Sequence, residues 1–277
     1  MPELPEVETI RRDLQPLLVG RTLSNVRIHP GGERVAVTHA PRELERELEG
    51  RRVVEVGRHG KYLLVKLDDG RTWVLHLRMT GSIVHTTADA PTRPFERARI
   101  DLDDGTVLLW SDMRKFGTWH LVEDPREAMP HTGPDALSPE CSPGWLRERF
   151  RGRTQSSVKV ALLDQSVCAG VGNIYADEAL WIAKIDPRTP AADLSARKVT
   201  ALHAAVLDTL NASLDNRGSS FKDYRDALGM QGLHHIQVHV FRREGQPCER
   251  CGHTIEKIRL AGRGTHFCPG CQRRPRT

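Results

Sequence analysis

Apolar residues recur at steps of three and four over residues 4–18, which places them on one face of a helix. The stripe consists of Leu4, Val7, Ile10, Leu14, Leu17 and Leu18. Pro5 suits the first turn of a helix, and Gly20 suits the position where a helix ends. The pattern predicts a buried helix that leads the chain and holds the N-terminal residues in a fixed position.

The apolar pattern then becomes that of short strands. Two Asp-Gly pairs, Asp69-Gly70 and Asp104-Gly105, each separate two apolar runs and indicate β-hairpins. The runs are 62–67 and 73–77 for the first pair, and 98–102 and 107–110 for the second. We expect a β-sandwich or flattened barrel over about residues 20–125. A linker follows, punctuated by Pro125, Pro130, Gly133 and Pro134.

Beyond the linker the periodicity predicts helices at about 144–150, 158–165, 173–183 and 194–214. Residues 165–173 contain Gly170 and Gly172 and predict a tight connection between two of these helices. Such a connection would admit a phosphate to the backbone N–H groups of the next helix, but from the residues alone an ordinary helix–helix turn is the favoured interpretation. We expect an irregular, mobile loop at 217–235 and a strand at 236–242.

Four of the six cysteines are arranged as two CxxC pairs that are separated by 16 residues. They are Cys248, Cys251, Cys268 and Cys271. This spacing predicts one structural zinc ion held by four thiolates, which leave no coordination position for a substrate. The residues between the pairs predict a β-hairpin with Arg263 at its tip. Cys141 and Cys168 are expected to be small core residues.

The positive charge of the chain is concentrated at its C-terminal end. The net charge is +5, and residues 242–277 hold nine Lys and Arg against three Glu. This asymmetry favours a polyanionic partner, and Arg263 on a rigid hairpin is suited to grip a phosphate. A solvated turn arginine is the alternative. The chain has neither a secretory signal nor an apolar run long enough to span a membrane, which predicts a cytoplasmic protein.

Pro2 is a candidate nucleophile. Initiator methionine is normally removed before proline, and removal would leave Pro2 with a free secondary amine. An α-amino group titrates near ~8 and is partly neutral at physiological pH, so it can attack an aldehyde-like carbon and form an iminium. Glu3 and Glu6 are close enough in sequence to act as acid, base or orienting group. The alternative is an ordinary helix start with acidic residues in its first turn.

Five motifs in order resemble those of the formamidopyrimidine-DNA glycosylase family. They are Met-Pro-Glu-Leu-Pro-Glu-Val-Glu-Thr at 1–9, Arg-His-Gly-Lys-Tyr-Leu-Leu at 58–64, His-Leu-Arg-Met-Thr-Gly at 76–81 with Asp-Met-Arg-Lys-Phe-Gly at 112–117, Gly-Val-Gly-Asn-Ile-Tyr-Ala-Asp-Glu at 170–178, and Gly-Arg-Gly-Thr-His-Phe-Cys-Pro-Gly-Cys at 262–271. The resemblance spans the chain. It implies an α+β multidomain fold with a leading helix and β-sandwich (1–130), a helical domain with a helix–two-turn–helix motif (131–240) and a β-hairpin zinc finger (241–277).

The resemblance also implies a function. The protein would be a monomeric base-excision-repair enzyme that removes 8-oxoguanine and formamidopyrimidines from duplex DNA. Pro2 would attack C1′ of the damaged nucleotide, Glu3 would act as general acid and base, and β,δ-elimination would cut the strand. Glu6 would position the nucleotide, and Lys61 would contact a phosphate beside the lesion. Without the motif, Lys61 would be interpreted as a hairpin lysine in solvent, and the motif disfavours that alternative.

A base inside a duplex must be flipped out before it can be excised, and the gap must then be filled. The resemblance assigns this task to Met79, Arg114 and Phe116, with Arg114 bonded to the widowed cytosine. Arg263, counted among the catalytic residues, would clamp phosphates together with Lys159 and Asn173, and His76 and Tyr175 are weaker candidates. The alternatives are core positions for Met79 and Phe116 and a snorkelling surface lysine for Lys159.

Several positions depart from the family pattern. Arg78 stands where glycine is frequent, and Met113 and Lys115 flank Arg114 in place of the more usual proline and arginine. The loop after Ser219-Ser220, which in the family covers the flipped base, lacks its usual proline–glycine–glycine–phenylalanine stretch. The rivals are the endonuclease VIII branch, disfavoured by Leu4, a non-enzymatic binder of damaged DNA, and a zinc-ribbon transcription module.

Overall fold

The computed structural model describes residues 2–220 and 224–273. The described residues fall into two compact units, Met1–Pro130 with Asn216–His235, and His131–Asp215 with Ile236–Thr277. The predicted three-domain division at 1–130, 131–240 and 241–277 stays a prediction. Within the described ranges, none of the helices combines the length and the apolar character that crossing a membrane requires.

The first unit begins with helix α1, Leu4–Leu18, as the apolar stripe predicts. Leu4, Ile10 and Leu14 are completely buried, so the stripe faces the core. The N–H of Glu3, just before the helix, donates to Glu6 Oε2 over 2.8 Å. This bond satisfies one of the amides that have no partner within the first turn of a helix.

Two antiparallel four-stranded sheets follow, with the orders β1-β6-β7-β5 and β2-β3-β4-β8. The strands are β1 (Leu23–Ile28), β2 (Val53–His59), β3 (Tyr62–Leu67), β4 (Thr72–His76), β5 (Gly81–Thr87), β6 (Glu96–Leu102), β7 (Thr106–Asp112) and β8 (Thr118–Val122). The two predicted hairpins are β3–β4 and β6–β7, and their turn glycines, Gly70 and Gly105, have φ of +90° and +82°. The sandwich prediction is confirmed.

The core of this unit joins the two sheets through tryptophans. The Trp119 ring of β8 meets the Trp73 ring of β4 edge to face at 4.8 Å and the Trp110 ring of β7 at 5.5 Å. All three side chains are completely buried. Edge-to-face contacts of this kind add to the free energy gained by burial.

A helix lies inside the segment for which the sequence predicts strands. Helix α2, Pro41–Leu48, buries Leu44 and Leu48, and every other residue after Pro41 is charged. Two apolar residues spaced four apart are too weak a periodic signal to distinguish a short helix from a loop. A short 3-10 turn at Glu33–Val35 precedes it.

The second unit is helical with one small sheet, as predicted. Its elements are α3 (Pro143–Arg151), α4 (Val158–Leu163), α5 (Asn173–Ile182), α6 (Ala196–Asp215), β9 (Glu256–Leu260) and β10 (Arg263–Phe267). The connection between α4 and α5 is tight. The Gln165 side chain organises it by donating to the carbonyls of Leu163 and Val171 and accepting from the Gly170 N–H.

The strand predicted at 236–242 is wrong. Residues 237–242 form bends and turns, and the N–H groups of His239, Val240 and Phe241 all donate to the buried Glu178 carboxylate. The 239–241 amides therefore bind a side chain in place of a neighbouring strand.

Candidate active site and nucleic-acid interface

The N-terminal residues are buried and held by Glu6. Glu3 and Glu6 are only 2% and 1% exposed, and Pro2 is buried as well. One oxygen of the Glu6 carboxylate accepts the Glu3 N–H, and the other accepts the Ser219 N–H, each over 2.8 Å. A carboxylate that binds the residue next to Pro2 fixes the position of the N-terminus, which catalysis by a terminal amine requires.

Lys61 lies in the turn between β2 and β3 and is 7% exposed. Arg58 connects this turn to α1, because its Nε donates to Glu8 Oε2 over 3.0 Å and its Nη1 to the Gly60 carbonyl over 2.9 Å. Burial raises the pKa of Glu8, but hydrogen bonds from Arg11, Arg58 and Arg12 outweigh it and lower the pKa below its usual value. Glu8 therefore stays ionised and anchors the Lys61 turn to helix α1.

Glu8 and Arg58 are positioning residues that the sequence reasoning missed. Glu8 lies in the motif at 1–9 and Arg58 lies in the motif at 58–64 that contains Lys61, so the sequence motifs include both residues. The signal that could have identified them is that they carry opposite charges in two motifs, at 1–9 and 58–64, that the resemblance assigns to the same site.

His76, at the end of β4, is buried beside Tyr62 with a ring-centroid distance of 4.5 Å. Burial, and then the nearby charges of Arg78 and Lys61, lower the pKa of His76 to about 3. Its Nδ1 accepts the Arg78 N–H over 2.9 Å, so the neutral ring carries its proton on Nε2. His76 therefore provides no cation for a phosphate and has at most one N–H to donate.

Met79, Arg114 and Phe116 lie on two loops of the first unit, between β4 and β5 and between β7 and β8. Met79 is 37% exposed and Phe116 is 47% exposed, which excludes the alternative that they are core residues. The Arg114 guanidinium lies over the Phe116 ring at 4.7 Å. The two loops thus expose to solvent the apolar side chain of Met79 and the stacked pair of Arg114 and Phe116.

Asp112 holds both loops and was also missed. It is 2% exposed, and its Oδ1 accepts from Thr80 Oγ1 over 2.5 Å and from the Arg114 N–H over 3.1 Å. Its Oδ2 accepts the Gly117 N–H over 2.8 Å. One buried carboxylate therefore sets the spacing between the Met79 loop and the Arg114–Phe116 loop.

Two departures from the family pattern coincide with unusual backbone. Arg78 has φ of +53° and Lys115 has φ of +58°, in the left-handed region that favours glycine. Such conformations cost free energy and persist where neighbouring contacts fix them. Here each of them directly adjoins a loop residue that the sequence singles out, Met79 or Arg114.

Lys159 does not lie at a surface, contrary to its predicted role in binding phosphate. It is completely buried, its Nζ lies 2.6 Å from Asp177 Oδ1, and it donates to the Gly264 carbonyl and to Thr265 Oγ1. Its four-carbon chain reaches a buried carboxylate inside its own unit. The structure therefore assigns Lys159 to holding strand β10.

Tyr175 and Asn173 also have partners within the second unit. Tyr175 is completely buried, and its hydroxyl lies 2.7 Å from Ser213 Oγ, which corrects its predicted phosphate contact. Asn173 Nδ2 donates to the Gly264 carbonyl over 3.0 Å. Arg263 is exposed and begins β10 directly after the turn at Ala261 and Gly262, whose φ values are +44° and +78°. The hairpin therefore presents Arg263 as predicted.

Replacing Lys159 by alanine is expected to lower the free energy of unfolding by about 3–5 kcal/mol, because Asp177 would remain buried without its cation. Lys257→Ala is the matched control, since Lys257 on β9 makes an exposed ion pair with Glu244, and its loss should cost no more than about 1 kcal/mol. Urea denaturation measures both. Equal effects would show that burial does not set the importance of Lys159.

The four predicted cysteines converge on one point. Their ligand atoms all lie within 4.8 Å of one another, with Sγ–Sγ distances of 3.9 Å for Cys248–Cys271 and 3.4 Å for Cys251–Cys268. A zinc ion with Zn–S bonds of about 2.3 Å in a tetrahedron requires sulfur separations of this size. The Trp181 indole N–H points at Cys248 Sγ over 3.4 Å, as an outer hydrogen bond to a metal thiolate would. The donor set fits zinc.

Three family models match this chain. Residues 1–119 match the formamidopyrimidine-DNA glycosylase N-terminal domain, residues 132–225 match the H2TH domain of the same glycosylase, and residues 245–274 match a zinc finger found in FPG and IleRS. The chain belongs to the formamidopyrimidine-DNA glycosylase family. The resemblance inferred from the five motifs is confirmed, and with it the predictions that the chain is a DNA glycosylase and carries a zinc-finger domain.

Relatives match over nearly the whole chain. The formamidopyrimidine-DNA glycosylase of Herpetosiphon aurantiacus is 42% identical, covering 98% of this chain and 100% of the relative. Among solved structures, the complex of Lactococcus lactis Fpg with an abasic site containing DNA has a TM-score of 0.90 and 36% identity, covering 98% of this chain and 100% of that one. MutM in complex with carbocyclic 8-oxo-G containing DNA has a TM-score of 0.89 and 36% identity, with coverages of 99% and 100%.

Proposed function

We propose that the protein is a bifunctional DNA glycosylase and AP lyase that excises 8-oxoguanine and formamidopyrimidines and then cuts the strand. The observation that carries the proposal is the Glu6 carboxylate, which holds the buried Pro2–Glu3 segment in place through the Glu3 N–H. The Glu3–Glu6 bond is also the capping bond of α1, but the second Glu6 oxygen accepts the Ser219 N–H, so the carboxylate joins the start of the helix to a distant segment of the chain. The Lys61 turn, tied to the same helix through Arg58 and Glu8, supports a shared site.

The chemistry follows from a secondary amine once Met1 is removed. The Pro2 nitrogen forms a bond to C1′ as the glycosidic bond breaks, and the base leaves with the bonding electron pair. The Pro2 nitrogen loses its proton to Glu3, which returns a proton to O4′ as the sugar ring opens, and the result is a cationic iminium between Pro2 and C1′. The iminium acts as an electron sink and makes the C2′ proton acidic.

Strand cleavage uses that acidity. Loss of the C2′ proton breaks the C3′–oxygen bond in β-elimination, and a second elimination breaks the C5′–oxygen bond. Each step releases a phosphate, and Glu3 is the proton carrier. Lys61 stabilises the charge on the phosphate beside the lesion, which a partly buried ammonium does more strongly than an exposed one.

The two Asp112-linked loops are proposed to fill the duplex when the damaged nucleotide leaves it. Met79 and Phe116 are exposed apolar side chains of the kind that wedge between bases. Arg114 carries planar donors that match the acceptors of the widowed cytosine. The Asp112 contacts with both loops support their action as one unit.

The second unit is proposed to supply phosphate contacts and one structural zinc ion. Arg263 is the exposed candidate, and Asn173 at the first turn of α5 adds a site where backbone N–H groups favour an anion. Cys248, Cys251, Cys268 and Cys271 would hold the Zn²⁺, which supplies the folding free energy of the hairpin. Phosphate contacts of this kind position DNA without reading its sequence. We expect a monomer that acts on DNA in the cytoplasm.

The test incubates the protein with a DNA duplex that contains one 8-oxoguanine opposite cytosine, with and without borohydride, and measures strand cleavage and adduct formation. We expect strand cleavage, and a covalent protein–DNA adduct when borohydride reduces the iminium. Thymine-glycol and formamidopyrimidine duplexes run in parallel. Cleavage of thymine glycol alone would place the activity with pyrimidine lesions, and tight binding to every damaged duplex without cleavage or adduct would show a non-enzymatic binder.

A further inference from the structure

The four-cysteine site borders on a tryptophan to which the proposed function gives no role. Trp181 is the penultimate residue of α5 and is 6% exposed. Its indole N–H donates to Cys248 Sγ over 3.4 Å, and its ring packs in one cluster with Val240 and Ile255. An indole N–H can donate but cannot accept, so this hydrogen bond runs from the ring to the sulfur.

Two side chains from other segments orient the indole ring. The His239 ring stacks on it at a centroid distance of 4.2 Å and an interplanar angle of 17°. The Arg250 guanidinium carbon lies 3.8 Å from the indole centroid, and Arg250 Nη1 donates to the Trp181 carbonyl over 2.9 Å. Stacking and cation–π contacts both favour a group over the face of a ring. The edge that carries the N–H is therefore kept directed at Cys248.

The two stacking partners are themselves anchored. The backbone N–H of His239 donates to the buried Glu178 carboxylate over 2.7 Å, and the His239 Nδ1 lies 2.9 Å from Glu249 Oε2. Arg250 lies between Cys248 and Cys251 in the first CxxC turn. A residue of the cysteine turn thus binds the end of α5, and Trp181 of α5 donates a hydrogen bond back to the same turn.

A hydrogen bond to this sulfur acts on the metal-bound form of the site. Four thiolates outweigh the charge of one Zn²⁺, so the loaded site is anionic, and donors around it stabilise that charge. Groups that donate to metal ligands also orient them, and their loss typically costs about 10- to 100-fold in metal affinity. Packing and hydrogen bonding are separable at Trp181, because phenylalanine can fill an apolar cluster and stack without an N–H.

We propose that Trp181 is a positioning residue for the metal: its indole N–H, oriented by His239 and Arg250, holds the Cys248 thiolate in place and raises the zinc affinity of the chain. The proposal rests on the zinc ion proposed above for the four cysteines. It goes beyond that assignment because it makes metal retention depend on a residue of α5, outside the cysteine hairpin.

The experiment measures zinc affinity by competition with a chromophoric chelator, using the full zinc-loaded chain. Trp181→Phe keeps an aromatic ring and loses the N–H, so the affinity should fall about 10- to 100-fold. Trp145→Phe is the matched control, because the Trp145 indole donates to the Val167 carbonyl over 2.8 Å and carries the Arg149 guanidinium at 4.0 Å. Its zinc affinity should be unchanged, and an equal loss in both variants would contradict the proposal.

Cobalt reports on the sulfur directly. When Co²⁺ replaces Zn²⁺, loss of a hydrogen bond to Cys248 Sγ raises the energy of the sulfur lone pairs. The thiolate-to-cobalt charge-transfer band should therefore move to longer wavelength in Trp181→Phe and stay in place in Trp145→Phe. An affinity loss without this shift would assign Trp181 to packing alone, and a shift without an affinity loss would show that the hydrogen bond does not retain the metal. Either result would overturn the proposal.

His239→Ala provides a second variant that leaves the indole intact, and its side chain is 38% exposed, so the fold should tolerate the change. Zinc affinity should fall less than in Trp181→Phe, because the ring loses one of its two orienting contacts. Unchanged affinity in either variant would overturn the proposal. A wild-type chain that binds no zinc would instead refute the proposed zinc ion, so the two failures are distinguishable.

Discussion

Replacing Pro2 by glycine is expected to lower borohydride trapping and 8-oxoguanine excision by at least about 100-fold. The glycine amine is primary, has no ring to fix its lone pair, and must lose more conformational freedom to reach C1′. The secondary amine of proline gives a permanently cationic iminium, whereas a primary amine gives an imine that must first be protonated. The rate of adduct formation measures the difference.

Pro5→Ala is the matched control, because Pro5 lies in the same helix start with its nitrogen inside an amide. Its loss removes a proline from the first turn and leaves the terminal amine intact, so trapping should persist. Mass spectrometry of the trapped wild-type peptide should place the sugar remnant on Pro2. An adduct mapped to Lys61, with trapping unchanged in Pro2→Gly, would transfer the nucleophile role to that lysine.

The parts of the fold that the sequence predicted depend on local signals. Helix α1 was predicted with its observed bounds because the apolar stripe and the residues that start and end the helix, Pro5 and Gly20, all lie within one short segment. The β3–β4 and β6–β7 hairpins were predicted because Asp-Gly turns select that geometry. The convergence of the cysteines was predicted because paired CxxC spacing has one common structural outcome.

The parts that could not be predicted depend on partners far apart in the chain. Asp112 bonds Thr80, and Lys159 pairs with Asp177, and no periodic pattern signals either contact. Lys159 was expected to contact a phosphate because of the family resemblance, with a snorkelling surface lysine as the alternative. Its partner lies on the next helix, facing the hairpin, and only the folded arrangement places the two charges together.

The same limit applies to the candidate site. The resemblance identified residues by their place in a motif, and the structure leaves Met79, Phe116 and Arg263 exposed, as the roles predicted for them require. It gave no information on what holds them. The supporting carboxylates Glu8 and Asp112 act through backbone N–H groups and arginines, so their roles follow from geometry and not from residue type.

Loss of the metal site is expected to weaken DNA binding while the first unit stays folded. Structural zinc contributes roughly 10–16 kcal/mol to the folding of small zinc-finger segments, more than the hairpin can gain from its few buried apolar residues. Cys251→Ser should therefore release the zinc and unfold β9 and β10, which carry Arg263. We expect the affinity for duplex DNA to fall about 100-fold and to depend less steeply on salt, because phosphate contacts are lost.

Three measurements separate this local effect from general unfolding. Metal analysis should find about one zinc per wild-type chain and none in Cys251→Ser, by the four-thiolate stoichiometry. The emission of Trp181, whose indole donates to Cys248 Sγ, should shift to longer wavelength, while the Trp73–Trp110–Trp119 cluster of the first unit stays buried. Cys141→Ala removes a buried thiol outside the metal site and should change neither zinc content nor affinity. The prediction would be contradicted if Cys251→Ser kept both its zinc and its DNA affinity. The four thiolates would then not be required to fold the hairpin, and the buried Lys159–Asp177 pair alone would hold Arg263 in position.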